Sequence, residues 1–349
     1  MKINSYLQFN IISPGLFTTV QDMGRYGFQK FGVPITGALD SFAAQMANFL
    51  VGNDSDAALL EFTVVGPRLL VMNDAFVAIT GAEMEIKRNG TLVSSWKAFR
   101  VKPGDLLEVG QAKSGCRGYL AVTGGVEVPR VMNSRSSYVG GKIGGVEGRP
   151  LQIGDKISRG IGPFQDQSRK LPQELVPQFK SEIVLRAIPG PQDDYFDEDL
   201  EKFFNSEFTV SPEANRMGYR LDGPEIKQKE GMPGSIISES SLPGGVQIPP
   251  NGLPIILLVE QTVGGYTKIA TVISSDFDLV AQASPGDRIR FERVSLETAY
   301  SIKREQALEL ENIKQVVEMI AQVRLSHQKK PVYREDKWLQ MFKELYPEC

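Results

Sequence analysis

The sequence predicts a mainly β protein, two tandem β-barrels with few helices and a helical C-terminal extension, and three observations carry that prediction. Short apolar runs bounded by Gly, Pro, Asp and Asn recur along the chain, a Pro-Gly-Asp turn appears in both halves, and a polar, proline-bearing stretch separates the halves. The runs are Phe76–Thr80, Glu83–Lys87, Asp105–Val109, Tyr119–Thr123, Ile183–Ala187, Ile255–Val259, Thr271–Ile273 and Arg288–Phe291. Their lengths and flanking turn residues are those of all-β barrels and sandwiches. In Lys102-Pro103-Gly104-Asp105 and Ser284-Pro285-Gly286-Asp287, proline presets the first turn dihedral and glycine supplies the positive one, so each reads as a type II turn feeding a strand. Ile153-Gly154-Asp155 is a degenerate copy, and Val65-Gly66-Pro67 and Asp222-Gly223-Pro224 form a second recurring pair. Two features recurring in each half argue for a duplicated barrel. The expected division is a first barrel over 1–165, a linker over 166–181, a second barrel over 182–295 and the extension over 296–349.

Helices are few. Asp40 or Ser41 caps one whose apolar positions Phe42, Met46, Phe49 and Leu50 share a face, with Gly52 ending it. A second runs from about Asp193 to Phe204 and buries Phe196, Leu200, Phe203 and Phe204. In the extension, Leu310, Ile313, Val317 and Ile320 make a narrow stripe, and Trp338, Phe342 and Leu345 make another after Pro331. The extension is expected to pack on its own barrel, with partner docking as the sharper alternative.

Composition narrows the chemistry. The 349 residues are 41% apolar and 23% charged, a globular balance, and the net charge of −3 leaves no electrostatic footprint for nucleic acid. Neither a basic-then-apolar leader nor an apolar run of membrane-spanning length is present, which makes a cytoplasmic location without membrane contact the expectation. With only Cys116, Cys349 and His327 available, a structural zinc site, a disulfide framework and a histidine-dependent triad are excluded, and no metal site is expected. His327, within Ser326-His327-Gln328-Lys329-Lys330, reads as a solvated surface residue. Chemistry therefore falls to Arg, Lys, Asp, Glu, Ser, Thr, Tyr, Gln and backbone amides.

Near the N-terminus, Pro14-Gly15-Leu16-Phe17-Thr18-Thr19-Val20-Gln21-Asp22-Met23-Gly24-Arg25 leads through Gly32-Val33-Pro34 and Gly37-Ala38-Leu39-Asp40 into the first helix. Polar residues crowded between glycines suit backbone that approaches a ligand closely. This run resembles the opening of the biotin-dependent carboxyltransferase subunit family, which includes the C component of bacterial 5-oxoprolinase (once called allophanate hydrolase subunit 2), KipA and the matching portion of urea carboxylase. The resemblance continues through Gly118-Tyr119-Leu120-Ala121-Val122, Ser134-Arg135-Ser136, Tyr138 and Ile143-Gly144-Gly145. It runs on through Ile188-Pro189-Gly190-Pro191-Gln192, Asn215-Arg216-Met217-Gly218-Tyr219, Gln247-Ile248-Pro249-Pro250, and Gln261-Thr262-Val263-Gly264-Gly265-Tyr266-Thr267-Lys268. It covers about residues 12–295. Thr267 stands where the family usually has proline, Glu260 and Val263 also vary, and the extension passes the family's usual end.

The resemblance implies two cyclophilin-like barrels and a partner of similar architecture, the KipI-like B component, with the active site where the two meet. A separate A component completes a 5-oxoprolinase. ATP would act through that complex. Without a Met-Lys-Met biotin-attachment sequence, any carboxybiotin must arrive on another protein. Three readings follow: a subunit of an ATP-dependent 5-oxoprolinase that opens 5-oxoproline to glutamate, a carboxyltransferase moving CO2 from carboxybiotin to urea or another amide, and a non-catalytic KipA-like regulator.

Carboxyl or phosphoryl transfer needs cations and oriented donors against a developing anion. Arg25, Arg135, Arg216 and Lys268 are the motif cations, and arginine grips carboxylates bidentately. With Asp22 they form the expected catalytic set. Expected substrate contacts are Gln21, Asp40, Ser136, Tyr138, Asn215, Tyr219, Gln261, Thr262, Gly264, Gly265 and Tyr266. For each arginine the alternative is a salt bridge holding a loop; for Asp22, Asp40 and Glu61 it is a cap or turn role. Gly140-Gly141-Lys142-Ile143-Gly144-Gly145 invites a phosphate-loop reading but lacks the Walker A spacing. If the motifs serve one ligand, Gln21, Arg25, Arg135, Asn215, Arg216, Gly265 and Tyr266 should line one cleft, and Arg25→Ala or Arg216→Ala should lower turnover with the fold intact.

Overall fold

The computed structural model describes residues 5–162 and 169–327, the side chains of 323–327 excepted. The tail stripe of Trp338, Phe342 and Leu345, Cys349, the His327 side chain and the beginning of the expected linker lie outside the described residues. In the first half the strands are β1 (Tyr6–Ser13), β2 (Phe17–Gln21), β3 (Leu59–Thr63), β4 (Arg68–Val71) and β5 (Ala75–Arg88). They continue as β6 (Thr91–Leu92), β7 (Ala98–Val101), β8 (Leu106–Val122), β9 (Val126–Glu127) and β10 (Lys156–Arg159). These ten make one sheet in the order β2-β3-β8-β4-β1-β10-β9, with β5 laid along β8 and carrying β6 and β7. Four of the expected runs fuse into two long strands. β5 joins Phe76–Thr80 to Glu83–Lys87, and β8 joins Asp105–Val109 to Tyr119–Thr123. Register shifts between Gly81 and Ile86 bend the β5–β8 pair, so each strand turns a corner of the sheet without breaking.

The second half contains β11 (Glu182–Pro189), β12 (Glu207–Val210), β13 (Gly218–Asp222), β14 (Glu239–Ser240) and β15 (Gly245–Ile248). It ends with β16 (Ile255–Leu257), β17 (Val263–Gly264), β18 (Thr267–Val272) and β19 (Arg288–Arg293). Seven of these close a barrel, β11-β18-β15-β16-β13-β12-β19, through a parallel β11–β19 pairing, while β14 and β17 form a separate two-stranded ribbon. Phe203 of α2 (Asp197–Asn205) stacks on Phe291 with ring centroids 4.4 Å apart, plugging the barrel core with Phe208.

The repeated turn is a structural repeat. In each copy the aspartate amide bonds the carbonyl three residues back, at 3.0 Å for Asp105, 3.0 Å for Asp287 and 3.2 Å for Asp155. The carboxylate accepts the amide of the turn's first residue, from Lys102 at 2.8 Å, Ser284 at 2.7 Å and Gln152 at 2.7 Å. Every copy also docks on one residue of a neighbouring strand: Val71, Val210 and Ile11 each accept from the turn glycine and donate to the turn aspartate. Proline is dispensable here, since Ile153 replaces it and the geometry persists. The Gly-Pro pair does not repeat in place: Gly66-Pro67 precedes β4, whereas Gly223-Pro224 follows β13.

Asp40 caps α1 (Ser41–Leu50) by accepting from the Ala43 amide at 2.8 Å. Arg169 and Leu171, within the expected linker, hydrogen-bond Ala98 and Trp96, so that stretch lies along the edge of the first sheet.

The C-terminal helix meets its expectation only in part. With α3 being Phe277–Gln282, α4 (Leu296–His327) touches its own barrel where Gln306 donates to the Ser275 carbonyl at 3.1 Å, and then crosses back to the first half. Ile313 and Val317 are buried with α1, Trp96 and Leu171, and Arg169 pairs with Glu318 at 2.9 Å. Burying a Val or Ile side chain contributes roughly 1.5–3 kcal/mol. A chain ending at Ser295 is therefore expected to show a clearly lowered thermal midpoint; an unchanged melt would mean that α4 contributes no cover.

Candidate functional site

The segment between β2 and α1 is wedged between the two halves. Leu39 inserts into the apolar core of the second barrel, and the Thr36 amide bonds the Val259 carbonyl at 3.0 Å. Around this wedge runs a buried polar seam. Arg216, from the turn before β13, pairs with Glu61 of β3, with Glu260 at 2.6 Å, and donates to the Gly37 carbonyl at 2.7 Å. Gln21 accepts from the Gly37 amide at 3.1 Å and donates to Thr19 and the Ser137 carbonyl. Farther along, the Tyr119 hydroxyl accepts from the Asp40 amide, Gln282 of α3 donates to Asp40 at 2.7 Å, and Arg117 reaches the Tyr219 hydroxyl, which donates to the Ala283 carbonyl at 3.1 Å.

Four of the expected catalytic groups are held by partners within the chain. Arg25 is wholly enclosed and uses its guanidinium on the Val131 carbonyl at 3.0 Å, the Thr36 hydroxyl at 3.0 Å and the Ser136 carbonyl at 2.7 Å. Burial lowers its pKa, with Asp22 opposing that shift. Asp22 accepts from the Ser134 and Ser136 hydroxyls at 2.7 and 2.5 Å and from the Arg135 amide at 2.6 Å, which folds the Ser-Arg-Ser segment against β2. Arg135 Nη2 donates to both Glu127 carboxylate oxygens, at 2.6 and 2.7 Å. For Arg216, burial works against the charge, but Glu61 and then Glu260 more than offset it and raise the pKa. The expected single cleft thus divides. Gln21, Arg25 and Arg216 lie inside the seam, Arg135 sits on Glu127, and Asn215 is in an exposed turn, accepting from the Met217 amide. Gly265 and Tyr266 belong to a second group.

The Gly-rich loop folds on its own chain. A Cβ on Gly144 would lie 2.2 Å from the Ser136 carbonyl oxygen and one on Gly145 1.8 Å from the Ser137 hydroxyl, while the Tyr138 ring packs against Gly140 and Gly141. These glycines are required by close internal packing, and the loop does not present a phosphate cradle.

Burial raises the pKa of Asp40, helped by the charge of Asp278, and burial likewise raises that of Asp278. A carboxyl whose pKa is higher folded than unfolded binds its proton more tightly in the native state. It adds stability as pH falls through the folded value toward the ordinary carboxylate range, and that gain is lost as pH rises. Asp278→Asn should therefore flatten the dependence of the thermal midpoint on pH between neutrality and that range. A wild-type and variant pair with parallel profiles would contradict the assignment.

The second group surrounds Lys268 of β18. Its ammonium is almost fully buried and bonds Glu239 of the β14–β17 ribbon at 2.5 Å. Gln192 locks the arrangement, accepting from the Lys268 amide at 3.0 Å and donating to the same Glu239 oxygen at 3.0 Å. Two buried donors beside it, the Gln247 amide nitrogen and the Ser241 hydroxyl, find no partner among the described residues. An unsatisfied buried donor is costly unless something occupies it. Both face Gly264: a Cβ there would lie 2.1 Å from the Gln247 nitrogen and 3.2 Å from the Ser241 oxygen. Gly265 accepts from the Ile236 amide at 2.8 Å, Gln261 bonds the Val263 carbonyl at 2.5 Å, Thr262 accepts from the Ser241 amide, and Tyr266 is exposed. Sequence reasoning missed Glu239, Ser241, Gln192 and Gln247 as site residues. Gln192 and Gln247 stand inside motifs that carry the resemblance; Glu239 and Ser241 carry no pattern at all.

Two β-barrel units are thus joined by a buried ionic seam, and the second carries a cluster of buried donors around Lys268. The family described as carboxyltransferase domain, subdomain A and B, matches residues 31–293, and the chain belongs to that family. It is 40% identical over 300 residues to the C component of the Escherichia coli 5-oxoprolinase, a match that covers 85% of this chain and 94% of that one. The corresponding 5-oxoprolinase C component of Haemophilus influenzae is 34% identical, with 86% and 96% covered. Among solved structures, the K. lactis urea amidolyase superposes with a TM-score of 0.83 at 31% identity over 88% of this chain, which spans only 20% of that larger protein. The likeness bears out the two-barrel fold class.

Proposed function

We propose that this chain is the C component of an ATP-dependent 5-oxoprolinase, opening 5-oxoproline to glutamate together with a KipI-like B component and a separate A component. The observation that carries the reading is end-to-end collinearity: the alignment takes in 94% of the E. coli C component. The donor cluster around Lys268 suits the substrate, because a buried ammonium beside amide and hydroxyl donors complements an anionic lactam. ATP acts through the complex, since the Gly-rich loop is taken up by its own packing. Lys268 and its neighbours bind and orient the substrate; the seam fixes the barrel that presents them.

The likeness to the urea amidolyase structure supports a second reading, transfer of CO2 from carboxybiotin, carried on another protein, to urea or another amide. Co-purification with the cognate B component, followed by assay with the A component, tests the first. The isolated chain is expected to be inactive and the reconstituted complex to cleave 5-oxoproline with ATP. Robust turnover by the chain alone would overturn its role as one part of a heteromeric enzyme.

A further inference from the structure

Two donors hold one carboxylate, and two further buried donors lie unpartnered beside the ribbon that carries it. The Lys268 ammonium and the Gln192 amide both bond the same oxygen of Glu239, and the unpartnered Gln247 amide and Ser241 hydroxyl abut Gly264, the residue paired with Glu239 across the ribbon. Lys268, Gln192 and Gln247 are held by the barrel and its preceding loop: Gln247 is opposite Lys268 in the β15–β18 register, and Gln192 accepts from the Lys268 amide. Glu239 is held differently. Its side chain is 44% exposed, and it rides on two residues paired with two others, outside the barrel sheet. A ribbon that short has little stability of its own. Hydrogen bonds from Lys268 and then Gln192 hold the Glu239 carboxyl below its usual pKa, so it is an anion at neutral pH.

We propose that Lys268, Gln192 and Gln247 form a carboxylate-binding nest, that Glu239 occupies it as an internal stand-in, and that a small carboxylate ligand enters by displacing Glu239 and lifting the β14–β17 ribbon, which carries Ser241 with it. The exchange is nearly neutral in charge: one carboxylate leaves the ammonium for water, which it already half reaches, and another arrives. The incoming carboxylate also takes up the Gln247 amide that Glu239 leaves unpartnered. This binding step rests on the reading of the Lys268 donor cluster as the substrate site, and it names the carboxylate of 5-oxoproline as the anchored group.

The test is calorimetric titration of the full chain with 5-oxoproline, with cyclopentanecarboxylate (ring and carboxylate, no lactam) and with 2-pyrrolidinone (lactam, no carboxylate). Glu239→Gln should bind both carboxylates about tenfold more tightly than the wild type, the penalty expected when a competing state holds the site in most molecules. It should leave 2-pyrrolidinone unchanged, and adding Lys268→Met should abolish the gain. Glu239→Ala, checked by its melting curve, gives the same readout should the glutamine itself lodge in the nest. Equal carboxylate affinities in wild type and both Glu239 variants, or an equal gain for 2-pyrrolidinone, would overturn the stand-in role. If cyclopentanecarboxylate gains affinity while the reconstituted complex fails to open 5-oxoproline, the nest stands and the 5-oxoprolinase reading falls.

Discussion

Replacing Arg216 by alanine is expected to destabilise the chain by about 3–5 kcal/mol, because it strands two buried carboxylates. Glu61 comes from the first sheet and Glu260 from the second half, and Arg216 also carries the Gly37 carbonyl of the wedge between them. Removing the guanidinium leaves both buried carboxylates without their cation. Lysine keeps the charge but has no planar fork to serve three acceptors at once, so Arg216→Lys should recover only part of the loss. This revises the sequence-based expectation that Arg216→Ala would lower turnover with the fold intact. Equilibrium urea unfolding measures the change, and a loss below about 1 kcal/mol, the value of an exposed pair, would contradict the account.

Lys268→Met should behave in the opposite way. Methionine keeps the apolar stem, and Glu239 is exposed enough to be solvated once its partner is gone, so unfolding should shift little. Turnover by the reconstituted complex should fall about 10²–10³-fold, the usual loss when a preorganised charge partner of the reacting species is removed. Arg216 and Lys268 thus separate fold from site. Loss of stability with Lys268→Met as large as with Arg216→Ala would place both in the frame.

The contrast shows what the residues disclose locally and what they do not. Asp40 was legible as a cap because its partner, the Ala43 amide, is three residues away. The Pro-Gly-Asp turns were legible for the same reason, and they closed identically even where Ile153 stands for proline. The middle of β8 was not, since Gln111-Ala112-Lys113-Ser114-Gly115 has no strand alternation and is held as a strand by β5. The roles of Arg25 and Arg216 were only half legible. Their motif context marks them as important, but whether an arginine meets a ligand or its own chain depends on partners such as Ser136 and Glu61, far away in sequence. Similarly, the stripe on α4 indicates a buried face, and only the path of the chain decides that this face covers the first half.

The measurement that bears most directly on the central claim is product analysis of the reconstituted complex, offered 5-oxoproline with ATP in one reaction and urea with carboxybiotin in another. Glutamate should form in step with ATP hydrolysis, and urea should remain uncarboxylated. Carboxylation of urea without glutamate formation would contradict the account and assign the chain to the carboxyltransferase reading.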